Sequence, residues 1–201
     1  MCGEARKHKF LLALVLSVGA MSAAARPGEL SQDAINSATL SEWSAEDQTE
    51  SPNPFLIRVQ ILLDRAHVSP GVIDGYQGDN LVEAIRTFEE RMKLPADGEI
   101  DENFWAALSA DKAPVLQAYR ISKNDLAKRY VKKVPKDFAV MAKMKRVGYT
   151  GPKEMLAERF HMDQSLLEVL NPNTNFRTPG RKILVSSIGP DATEKVSRVV
   201  S

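Results

Sequence analysis

Two Asp-Gly pairs, Asp74-Gly75 and Asp97-Gly98, punctuate three short runs of helical periodicity, and this alternation limits what the chain can fold into more than any other feature. In such a pair Gly takes positive φ without steric cost and Asp bonds its own backbone, so each pair reads as a tight turn. Ahead of the first, Leu56, Val59, Leu62, Leu63 and Ala66 recur at helical steps and predict a helix over Phe55 to Ala66, broken at Ser69-Pro70-Gly71. Between the pairs a second helix begins near Asn80, with Asn80 as cap and Glu83 completing a capping box, and ends at Leu94-Pro95. It is expected to bury Leu81, Ala84, Ile85, Phe88 and Met92. After the second pair, Asp101 caps a short third helix carrying Phe104, Trp105 and Leu108. No such helix buries its apolar stripe alone, so the three must pack around Leu63, Ile85, Phe88, Trp105 and Leu108.

The N-terminus bears on the compartment. Arg6, Lys7 and Lys9 precede an apolar run from Phe10 to Ala20 and then Ser22, Ala23, Ala24 and Ala25, the order of a secretory signal peptide cleaved after Ala25. The run is too short for a membrane span. Cleavage removes Cys2, the only cysteine, and with it any disulfide or thiol chemistry. Taking Arg6, Lys7 and Lys9 from 27 basic residues and Glu4 from 26 acidic ones leaves 24 and 25, a balance that says little. The distribution says more: Gly28 to Phe55 holds six acids and no base, and Asp111 to Val147 eleven bases against three acids. The acidic stretch, rich in Ser, Asn, Gln and Thr, is expected to be a disordered leader. The basic one reads as a connector with some helix and an extended segment at Val115 to Ile121.

From Tyr149 periodicity returns. Pro152 suits a first helical turn, Met155, Leu156 and Phe160 share a face, and Asp163 caps a second helix burying Leu166, Leu167 and Leu170. Asn171-Pro172 stops it, and Thr178-Pro179-Gly180 leads into a short strand at Ile183 to Val185; Val196 to Val200 is expected to be another strand.

The landmarks Arg58-Val59-Gln60 through Leu63, Gly71 to Gly78, Ala84-Ile85 with Phe88, Leu94, Asp97-Gly98, Asp101 and Trp105 with Leu108 resemble the peptidoglycan-binding repeat in order and spacing. Two positions depart from it: Glu89 stands where Gln usually follows the Phe, and Gln77 where an aromatic is common. Residues Tyr149 to Val185 resemble a degenerate LysM-like module whose opening strand and Gly-Asp pair are missing. With Leu30 to Asn36, the whole order is similar to the N-terminal half of secreted L,D-transpeptidases of the ErfK/YbiS type. Their Ser-His-Gly-Cys stretch has no counterpart here, which implies a targeting half without its catalytic domain, either a truncated transpeptidase or a stand-alone binder; a protein that tethers a partner to the envelope is the third class the sequence allows. The expected architecture is mainly α: signal peptide 1–25, leader 26–54, a three-helix peptidoglycan-binding domain 55–110, basic connector 111–148, a small α+β LysM-like module 149–188, and 189–201 as the truncated first strand of a transpeptidase domain.

The resemblance implies peptidoglycan as partner and a periplasmic or secreted, cell-wall-associated location. Residues alone place the ligand at the turns, with Asp74, Gly75, Tyr76, Gln77, Gly78, Asp79 and Asn80 facing Asp97 and Gly98 across a groove, and Tyr76 exposed for stacking on a sugar ring or a stem peptide. No catalytic residue, metal or cofactor is expected. His67 and His161 stand singly, without metal-ligand spacing. Asp74 and Asp97 read as turn residues rather than as a glycosidase pair. The cluster Lys128-Arg129, Lys132-Lys133 and Lys143-Lys145-Arg146, with only Tyr130 interleaved, reads as a solvated face or an attraction to anionic envelope polymers rather than a nucleic-acid site.

Overall fold

The central element is α2, Pro54–Arg65, started by the Asn53 side chain, which accepts from the amides of Phe55 and Leu56. In the computed structural model, which describes residues 30–44, 50–127, 130–135, 137–144 and 148–190, this helix is buried on most of its circumference. Phe55, Ile57 and Ile61 are covered as fully as the expected stripe. The cover comes from the leader. There α1, Gln32–Ser37, is capped by Ser31, and a 3₁₀ turn follows at Leu40–Glu42. Ile35 and Ala38 are buried, Trp43 stacks near Phe55, and the Arg58 guanidinium donates to the Ala38 carbonyl at 2.7 Å. The expectation of a disordered leader over 26–54 is therefore corrected for its described part. Leu30, Ile35, Ala38, Leu40 and Trp43, spaced through a polar segment, suffice to fold it once an apolar surface is available. The expected signal segment 1–25 lies outside the described residues, as does Val196 to Val200.

Helix α3, Asp79–Met92, and helix α4, Glu102–Leu108, complete the expected trio. Asp101 caps α4 as expected, accepting from the Phe104 amide at 2.7 Å. The start of α3 differs from the expectation. Its cap is Gly78, with no side-chain cap bond; Asn80 lies inside the first turn, and Glu83 pairs with Arg86. Met92 is also largely exposed rather than buried, because it occupies the last turn before Lys93 takes left-handed φ. Phe88 meets Phe104 edge to face at 5.6 Å, and the partly buried Trp105 meets Phe55 at 4.8 Å.

The stretch expected to be a connector is built into the fold. Strand β1, Leu116–Arg120, pairs antiparallel with β2, Lys182–Ser186, in the register Leu116 to Ser186 through Arg120 to Lys182. Between them come α5, Lys123–Leu126, α6, Phe138–Met141, α7, Pro152–Arg159, and α8, Gln164–Leu170. β1 is thus separated from α7 by residues 121–151 and finds its partner only after α8. Asp125 fastens it. This nearly buried carboxylate accepts from the Ser122 amide and hydroxyl, the Tyr119 hydroxyl and Arg159 on α7, at 2.7 to 2.8 Å. Burial alone would raise its pKa, but these donors outweigh it and hold the group at about 2.

The two halves share one core rather than hanging on a tether. The Ile73 amide donates to the His161 carbonyl at 2.8 Å, and the Asp163 amide donates to the Ile73 carbonyl at 2.9 Å, forming a single parallel bridge. Arg65 donates to the Ser187 carbonyl and pairs with Asp111, while Asp64 pairs with His161. His67 and His161 both take positive φ just beyond α2 and α7. In each case the next residue's amide reaches back to close the helix end, Val68 to Leu63 and Met162 to Ala157.

Candidate binding site

The first Asp-Gly turn is held from below by Gln60. This side chain, 2% exposed, points out of α2 and uses both ends. Its Nε2 donates to Asp74 Oδ1 at 2.9 Å and to the Tyr76 carbonyl at 3.2 Å, and its Oε1 accepts from the amides of Asp74 at 3.1 Å and Gly75 at 2.8 Å. Both donors and both lone-pair directions of the amide are satisfied. Asp74 also accepts from the Tyr76 amide at 2.9 Å, the self-bonded turn expected of it. Gly75, at φ +80°, lies flat against Ile57 and Pro52, where a Cβ would sit 2.8 Å from each side chain. Only Gly fits.

Above this support lies an open pocket of about 550 Å³. Of the expected site residues, Asp74, Tyr76, Gln77, Gly78, Asp79 and Asn80 line it, and Gly75 lies buried beneath. Tyr76 is exposed, with its hydroxyl donating to the Glu50 carbonyl. Asp97 and Gly98 do not line it. Gly98 packs instead against Val82 and Arg86 on the side of α3 and donates to Glu89 Oε2 at 2.9 Å, while Asp97 accepts from the Glu99 amide at 2.9 Å. Of the two turns, only the first therefore contributes to this pocket. The second turn is a support, held by a buried acid as the first is held by Gln60. Burial raises the pKa of Glu89 against the opposing pull of the Gly98 amide, and Asp97 and Asp101 add to the rise.

The far wall of the pocket comes from the second half of the chain. Asp163, the cap of α8, lines it beside Pro70, Val72 and Leu81. Its position is set by the backbone bridge through Ile73. The Ser165 hydroxyl and amide hold its carboxyl below the usual range despite partial burial. Sequence reasoning missed both Gln60 and Asp163 as site residues. Gln60 had a signal, a polar residue in an otherwise apolar stretch from Val59 to Leu63; Asp163 had none, since its approach depends on tertiary contact.

The lining combines carboxylates, amide side chains and one aromatic ring, with no basic side chain, so it is suited to a ligand that donates hydrogen bonds from hydroxyl, amide or amino groups. Among the described residues no three His, Cys, Asp or Glu side chains gather as they would around a metal ion, and no helix is long and apolar enough to cross a membrane. A search of curated proteins finds no match to the chain. Residues 53–108, which hold α2, α3, α4 and both Asp-Gly turns, match the family described as "Putative peptidoglycan binding domain".

Proposed function

We propose that this is an exported protein that binds peptidoglycan through the pocket above the Gln60-held turn and has no catalytic activity of its own. The observation that carries the reading is that the peptidoglycan-binding match falls on the segment forming that open, polar pocket. No nucleophile and base are paired in its lining, and Asp74 is committed to its turn. The run α7, α8, β2, with β2 paired to β1 across the intervening α5 and α6, supports a LysM-like second half, and with it kinship to the targeting half of L,D-transpeptidases. In that arrangement the second half lends Asp163 to the first half's pocket. The basic stretch adds a general attraction to anionic envelope polymers.

Sedimentation with purified sacculi tests the reading. The mature protein should pellet, and Tyr76→Ala with Gln77→Ala should leave it in the supernatant while its circular dichroism is unchanged. The pocket assignment is wrong if those variants still pellet, or if only loss of Lys132 and Lys133 abolishes sedimentation.

A further inference from the structure

The most exposed large apolar side chain among the described residues is not at the pocket. Phe138, on α6, is 82% exposed; Val140, two residues on and facing the other side of the helix, is 47% exposed. Ala139 and Ala142 are exposed on the same short segment, as are Lys132, Lys133 and Lys143. The described ends of this segment are tied together and to the body: the Val131 amide donates to the Tyr149 carbonyl at 2.9 Å, and the Tyr130 hydroxyl donates to the Asp125 carbonyl. Its charge is one-sided. Residues 128–146 carry eight bases and a single acid, Asp137, whose carboxylate is occupied in capping α6 through the amides of Ala139 and Val140.

We propose that the segment around α6 docks on an anionic phospholipid bilayer, with Phe138 and, one turn on, Ala142 entering the interface while Lys132, Lys133 and Lys143 meet lipid phosphates. Basic side chains alone would suit any polyanion. An apolar side chain held in water beside them gains nothing from a solvated polymer, but an aromatic ring is stabilised at the boundary of headgroups and acyl chains. The backbone of α6 has its first-turn amides bonded by Asp137, so the helix presents side chains rather than unsatisfied donors to the interface. The surface is separate from the pocket, which lets one protein hold wall and membrane at once.

Co-sedimentation of the full mature chain with vesicles tests this. Vesicles of phosphatidylglycerol and phosphatidylcholine in equal parts should bind it, phosphatidylcholine alone should not, and raised salt should release it. Phe138→Ser should weaken vesicle binding about tenfold yet leave retention on a heparin column and sedimentation with sacculi unchanged. Lys132→Gln with Lys133→Gln should weaken both vesicle and heparin binding. The proposal is overturned if phosphatidylglycerol vesicles fail to bind the protein, if Phe138→Ser binds them as the parent does, or if the two vesicle types bind equally. Retention on heparin without any vesicle binding would assign the surface to a soluble polyanion.

Discussion

Replacing Gln60 by Leu removes a side chain's polar end while nearly keeping its volume, which isolates what the buried amide contributes. Four hydrogen bonds are lost, two from Nε2 and two to Oε1. At a net ~1 kcal/mol each they amount to about 4 kcal/mol, partly offset by about 1 kcal/mol for the added apolar burial. The buried Gly75 amide is then left without its partner, so the offset is not complete. A destabilisation of about 3 kcal/mol results, which for a chain of this size lowers the melting temperature by about 10 °C. Urea unfolding is well placed to read it, because Trp105 packs on Phe55 at 4.8 Å and reports the same helix. Gln60→Glu provides the contrast. It keeps acceptors for the Asp74 and Gly75 amides but sets a carboxylate where Nε2 now meets Asp74 Oδ1 at 2.9 Å, so its deficit should shrink in acid as one carboxyl takes up a proton. A loss under about 1 kcal/mol for Gln60→Leu, or a Gln60→Glu deficit independent of pH, would show that the turn does not depend on this amide.

Three further outcomes follow from the same contacts. Glu89→Gln should leave stability unchanged below the ordinary glutamate value of 4.5 and raise it progressively at higher pH. The parent's raised pKa means that its stability is fully present while Glu89 is protonated and declines as pH rises through the folded-state value; equal urea midpoint shifts in acid and at neutrality would refute this. Asp125, held at about 2 against 3.8, contributes about 2 kcal/mol that is present above 3.8 and lost as pH falls toward 2, so Asp125→Asn should flatten the acid limb of an unfolding profile. Gly75→Ala, at φ +80° and with a Cβ 2.8 Å from Ile57 and Pro52, should cost about 3 kcal/mol in thermal melts, whereas Gly78→Ser, in open space and extended backbone at a helix cap, should gain a few tenths.

The helices and turns of the first half were legible because each carries its own signal: apolar periodicity for α2 and α3, Asp101 for the start of α4, Asp-Gly for the turns. α7, α8 and β2 were readable for the same reasons, through Pro152, Asp163 and Ile183 to Val185. Coverage was harder to read. Ile35, Ala38, Leu40 and Trp43 are too sparse in an acidic, polar segment to announce a packed strap. Yet α2 itself carried the complementary hint, since Ile57 and Ile61 extend its apolar surface beyond one stripe and require a second partner. β1 was visible only as an extended segment, its partner lying beyond residues 121–181. For the site, the first turn's lining was legible from composition, but the second turn's exclusion was not, because Glu89 draws Gly98 onto the flank of α3. Asp163 enters the pocket through the Ile73 bridge, a contact between distant segments that leaves no local pattern.

Amide-resolved titration of the mature protein with soluble muropeptides tests the central claim most directly. The account predicts chemical-shift changes at Asp74 to Leu81 together with Asp163, and little at Asp97 and Gly98. Changes centred on the second turn or confined to the basic stretch, or none at all, would contradict it.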